Sequence, residues 1–139
     1  MKNEIKIINY SIESVKVREF LRNNKSGAIV IFEGVVRDFN QGKKIKNITY
    51  EAYEAMAIKE ISKIVDEQKK QLANNSEIHS ICIHHRVGKL DVGETSIIIG
   101  VSSEHRAQAF LLCSNIMDNI KISVPIWKFE TSEDDAYWI

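Results

Sequence analysis

The stretch EIHSICIHHRVGKLDVGETSIIIGVS, residues 77–102, reads as two strands with a turn and no helix between them. Residues 77–86 alternate in polarity, DVG at 91–93 is a turn signal, and a second strand follows over 94–102. Strands joined this way pair antiparallel, because a parallel pair needs a long crossover. Working outward, GAIVIFEGVVR (27–37) is another strand, with Ala28, Val30, Phe32, Gly34 and Val36 on one face. Gly34 in its interior marks a bulge or a close backbone approach. NQGKK then turns the chain toward a strand at 44–53, which suggests a second hairpin.

Helical spacing separates these pairs. Ala57, Ile61, Ile64, Val65, Gln68 and Leu72 recur on one face of a helix over 54–72. A helix near 11–23 would start at Ser11 as N-cap, and one over 104–121 at Ser102 or Ser103. Pro125, the one proline, stops the last helix and opens a strand at about 124–130. Residues 3–9 read as an edge strand. The order β-α-β-β-α-β-β-α-β, hairpins alternating with helices, predicts an α+β fold with a mainly antiparallel sheet.

A chain of 139 residues fits one domain, 1–139. Lysine plus arginine equals aspartate plus glutamate at 19 each, so no global field favours nucleic acid or a membrane surface. Any anion site must be a local cluster. The most apolar run, GAIVIFEGVV, is too short to span a bilayer and contains Glu33. The start MKNEIKIINYSIE has no apolar signal core, so a reducing cytoplasm is the expected home. Cys82 and Cys113 suit buried free thiols and form no CxxC.

The candidate chemistry is cationic. NIKISVPIWKFE (119–130) sets Lys121 and Lys128 seven apart around a stiff apolar stretch. Lys121 is favoured at a helix C-terminus by about 0.3–1 kcal/mol, which explains it without a function. Lys128 shares a strand face with Val124 and Ile126, so it either snorkels at an edge or is buried for a purpose. His105 and Arg106 open the helix whose end holds Lys121, where acidic residues are the usual choice. Either they bind an anion or Arg106 pairs with a nearby carboxylate. Fifteen residues of helix place Arg106 about 22 Å from Lys121, beyond one small ligand. If both ends act, two copies of the chain share the site. Arg37 ends a strand before the loop DFNQGK, a place for either a solvated or a substrate-reaching side chain. No metal is expected: His84 and His85 point to opposite strand faces, and His79 and His105 lack ligand spacing to either or a cysteine nearby. HRVGKL and YEAYEAM read as scaffold, a glycine turn and aromatics packing a corner.

GAIVIFEGVVRD, YEAYEAMA, HRVGKLDVGE, VSSEHRAQAF, IMDNIK and VPIWKFE occur in one order over about residues 27–130. Together they resemble the large, catalytic subunit family of molybdopterin synthase. The resemblance implies an α/β hammerhead fold and a homodimer within a heterotetramer. The partner it implies is a small ubiquitin-like sulfur carrier with a C-terminal Gly-Gly thiocarboxylate. The substrate it implies is cyclic pyranopterin monophosphate, converted to a dithiolene with no cofactor. The implied site is Arg37, His105, Arg106, Lys121 and Lys128, with the two lysines catalytic and the His-Arg pair from the opposite protomer. Phe129 stands where many members of the family carry another basic residue, and the chain ends at Trp138-Ile139 where many continue into a charged tail. The competing expectation is a silent module that only docks the ubiquitin-like partner.

Overall fold

The computed structural model describes residues 2–72, 77–132 and 136–138. Its spine is β7 (Thr95–Ser103), which is antiparallel to β5 (Ile78–Arg86) on one side and to β2 (Ala28–Val35) on the other. β1 (Lys2–Ile8) extends this sheet as a parallel edge strand beside β5. β7 is buried from Ser96 to Ser103 because helices cover both of its faces. Ile97, Ile99 and Val101 pack with residues of α2 (Glu54–Leu72) and α3 (Arg106–Ser123). Ile98 and Cys82 pack on the other face with Val17 and Leu21 of α1 (Ser14–Leu21). Each fully buried isoleucine contributes about 1.5–3 kcal/mol. At Gly100 an added Cβ would collide with Leu21, so α1 rests directly on the strand backbone.

A second sheet runs β3-β4-β8-β9, comprising Phe39–Asn40, Lys43–Ala52, Ile126–Ser132 and Ala136–Trp138. β6 (Gly88–Asp91) pairs with β4. Its own small core holds Val36, Ile45, Ile48, Tyr50 and Leu90. The architecture is α+β and mostly antiparallel, as expected.

The expected hairpin between 27–37 and 44–53 does not form. β2 pairs with β7, while β4 belongs to the other sheet. The chain crosses between sheets at a register shift at Gly34/Val35, which carries Val36 into the second core. Gly34 is therefore the bulge its position suggested, and an added Cβ there would lie 2.7 Å from Ile97 Cγ2. The hairpin that does form is β3–β4. Gln41 and Gly42 make its two-residue turn with φ of 49° and 80°, the type I′ pattern.

The two uncertain helix starts also move inward. α1 begins at Ser14 with Glu13 at the N-cap rather than Ser11, because Ile12 packs on the α1 core in a segment outside the helix. α3 begins at Arg106 with His105 at the N-cap. Ser102 and Ser103 belong to β7 and are fully buried, and Ser103 Oγ donates to the His105 carbonyl at 2.6 Å. At the other end α3 stops at Ser123, and Pro125 leads into β8. The Pro125 carbonyl accepts the Tyr53 N–H at 3.1 Å and fixes this corner to the start of α2.

Candidate active site

The two sheets and the last turns of α3 enclose a cavity of about 610 Å³, a size suited to a small ligand. Arg37, Lys121 and Lys128 all line it. Arg37 arrives just past the bulge that ends β2, Lys121 from the last turn of α3, and Lys128 from β8. Pro125 lies between the two lysines and makes the helix end where the strand begins. Its stiff φ fixes one cation relative to the other.

The electrostatics show that the three cations share one space. Burial lowers the Lys128 pKa below its ordinary value, Lys121 and Arg37 lower it further, and Glu130 opposes them. Lys128 keeps exposed surface, yet burial is the main cause of its shift. Lining a concave cavity reconciles the two: the exposed part faces a space in which water is hemmed by protein. Of the two readings of Lys128, snorkelling at an edge or buried for a purpose, neither holds alone: the residue is exposed, and it lines the cavity.

The floor holds residues that periodicity gave no reason to single out. Glu130 is 1% exposed and accepts from Asn40 Nδ2, at 3.0 Å to Oε2 and 3.3 Å to Oε1. Tyr50 is the register partner of Lys128 and meets His85 edge-on at 5.0 Å between ring centres. Burial raises the Tyr50 pKa, a hydrogen bond with Ser96 opposes this, and Glu130 adds to it. Burial lowers the His85 pKa to about 4, against a hydrogen bond to the Arg86 backbone and together with the charge of Lys128. Tyr50 and His85 lie in the two motifs read as scaffold. They are packed, and they are also cavity walls.

His105 and Arg106 are not in this cavity. They are exposed at the far end of α3, with no acidic residue in the first turn and no side-chain cap. The Glu104 carboxylate lies 3.5 Å from His105 Nε2. The structure thus brings together three of the five expected residues and leaves two apart, at the opposite end of α3.

Phe129 serves packing: its ring meets Trp138 of β9 edge-on at 5.0 Å. The opposite-face placement of the consecutive histidines holds, since His84 bonds Glu4 at 2.9 Å while His85 lines the cavity. A cysteine does lie near them, because Cys82 Sγ is 3.5 Å from His84 Nε2. Glu4, Cys82 and His84 form a cluster, but Lys6 sits 3.4 Å from the Glu4 carboxylate and already neutralises it. Both thiols are free and buried, and burial pushes each pKa up to about 12. No helix among the described residues is long and apolar enough to cross a membrane.

A sequence model of the MoaE protein family matches residues 7–123. A molybdopterin synthase catalytic subunit from Pyrococcus abyssi is 42% identical over 117 residues, covering 84% of this chain and 76% of that protein. One from Staphylococcus carnosus is 37% identical over 136 residues, covering 98% of this chain and 88% of that protein. The crystal structure of molybdopterin synthase from Staphylococcus aureus superimposes with a TM-score of 0.86 at 36% identity, over 96% of this chain and 94% of that one. With most of its length matched in sequence and in fold, the chain belongs to the MoaE protein family.

Proposed function

We propose that this chain is the catalytic subunit of a molybdopterin synthase, a sulfurtransferase that builds a dithiolene on cyclic pyranopterin monophosphate. The observation that carries the reading is the convergence of Arg37, Lys121 and Lys128 on one cavity, where burial and the other two cations lower the Lys128 pKa. Such a reaction gathers negative charge from a phosphate and a thiocarboxylate. Fixed cations in a space poor in water stabilise that charge far better than mobile ones.

The two cysteines support an external sulfur donor. A thiol whose pKa is pushed up to about 12 is almost never a thiolate, and buried thiols are poor sulfur carriers. Sulfur therefore arrives on a partner, here a small ubiquitin-like protein whose C-terminal Gly-Gly thiocarboxylate threads into the cavity. Lys121 and Lys128 orient that group and offset the charge that develops as it is attacked. Lys128, whose pKa burial and the neighbouring Lys121 hold below the ordinary lysine value, can also give or take a proton. Arg37 holds the phosphate from the same protomer, and His105 and Arg106 reach it from the opposite one. That division requires a homodimer, and the family resemblance implies that it sits inside a heterotetramer.

The test is reconstitution of the purified chain with thiocarboxylated partner and cyclic pterin, scored for dithiolene product. Product at a rate that falls with Lys121→Ala supports the reading. Partner binding without product under any condition returns the chain to a docking module.

A further inference from the structure

His85 has no part in the roles assigned above, yet it is 5% exposed and forms part of the cavity floor. One ring nitrogen is committed. A carbonyl oxygen can only accept, so the 2.8 Å contact between Nδ1 and the Arg86 carbonyl requires the proton on Nδ1. In the neutral ring, Nε2 is then a bare acceptor. Among the described residues it has no hydrogen-bond partner, and it is not one of the polar atoms sealed from solvent. It therefore keeps contact with solvent, and the residue that carries it lines the cavity. Tyr50, edge-on to the ring, is directly paired with Lys128 across β4 and β8, so the ring and the lysine flank the same tyrosine.

We propose that His85 is a positioning residue for Lys128: its Nε2 is a fixed hydrogen-bond acceptor toward which the Lys128 ammonium turns, directly or through one water. The charged and titratable groups facing this floor are Lys128, Lys121, Arg37, Glu130 and Tyr50. Arg86, next in sequence, is engaged with Glu94 at 2.6 Å. A protonated imidazole would be a fourth cation beside three, so the ring stays neutral and keeps its lone pair. An acceptor there selects one orientation of a long, flexible side chain. It also holds the ammonium form against the neighbouring cations. His85 forms no bond with substrate in this role.

The inference about turnover rests on the sulfur-transfer reading, so the first two measurements are independent of it. Long-range ¹H–¹⁵N correlation on the labelled protein reports the tautomer; the Nδ1–H form at pH 7 is expected, and an Nε2–H ring or an imidazolium overturns the proposal. The ¹⁵N titration of the Lys128 ammonium is then followed in wild type, His85→Phe and His85→Gln. Phenylalanine keeps the packing on Tyr50 without an acceptor, so the Lys128 pKa should fall further, and glutamine should restore it. An unchanged titration in His85→Phe overturns the proposal. Single-turnover sulfur transfer should drop by about a hundredfold in His85→Phe and recover to within about fivefold in His85→Gln. Wild-type turnover in His85→Phe, or equal losses in both variants, overturns it. If the wild-type protein makes no product, the sulfur-transfer reading fails while the tautomer and titration still decide the role of His85.

Discussion

The two ends of α3 are built from the same kind of residue and sit in opposite surroundings. At the start, His105 and Arg106 stand exposed, outside the cavity, where the helix dipole already supplies positive charge. At the end, Lys121 meets Lys128 and Arg37 over a floor holding Glu130 and His85. Under the proposed function the C-terminal end is a finished half of a site. The N-terminal end presents two exposed residues that line no part of that cavity. A helix about 22 Å long between the two cannot fold back on itself, so under the proposed function the complement to each end comes from a second copy.

The largest effect expected is on the finished end. Lys121→Ala should lower sulfur transfer by about 10²–10³-fold, the cost of losing one preorganised charge at a reacting centre. The same substitution should lower Tm by no more than about 4 °C, because a lysine in a last helical turn contributes little to stability. Near-normal turnover with an unchanged Tm would reduce Lys121 to a dipole partner and remove the contrast between the ends.

Next comes the question of whether the ends meet across a dimer. Arg106→Ala and Lys121→Ala proteins, each inactive alone, should complement when assembled as mixed dimers. One site then carries both defects and the other neither, so up to about half the wild-type activity per mixed dimer returns. Mixed dimers confirmed by mass but without activity would place the whole site in one protomer, and α3 would have only one functional end.

How much of this was legible in the sequence follows from what each residue must satisfy. α2 was read to its boundaries because its buried face repeats over five turns. β3, β6 and β9 were missed because strands of two to four residues are too short to show a period. The false hairpin had a different cause. β2 and β4 each look like a strand, and the turn signal between them is real, but it belongs to β3–β4 after the chain has changed sheets at Gly34. Lys121, Lys128 and Arg37 could be nominated because a cation in an apolar line or at a strand end is conspicuous. Glu130, Tyr50 and His85 could not, since a strand buries such residues for packing and for function in the same alternating pattern. Only the convergence of two sheets distinguishes them.

Lys128→Arg tests how narrow the finished end is. Arginine keeps the charge but replaces a compact ammonium with a wide planar fork. In a cavity already holding Lys121, Arg37 and a buried floor, that fork should lower single-turnover rates by about tenfold or more at saturating partner. Partner affinity should change less, because docking energy is concentrated in other contacts. A rate within about twofold of wild type would mean the ammonium projects into open water.

The smallest effect expected is on stability, and it separates the ends by sign. The folded pKa of Lys128 lies below its ordinary value of 10.5, with burial the first cause and Lys121 the second. Between the folded and unfolded pKa the unfolded chain binds more protons, so stability rises with pH through that window. Below it, the cost of holding the partly desolvated ammonium is present in full. Lys128→Met removes that charge while keeping an unbranched side chain along Ile126, so Tm at pH 7 should rise by about 1–3 °C. The gain should shrink as pH climbs past the folded pKa and vanish above 10.5, where wild type is neutral as well. Arg106→Ala removes a charge that is exposed and outside the cavity, so its Tm should match wild type at every pH. Melting curves from pH 7 upward on the three proteins settle it. A lower Tm for Lys128→Met at pH 7 would show that the lysine is held by a net favourable pairing, and the two ends of α3 would then differ in position but not in electrostatic cost.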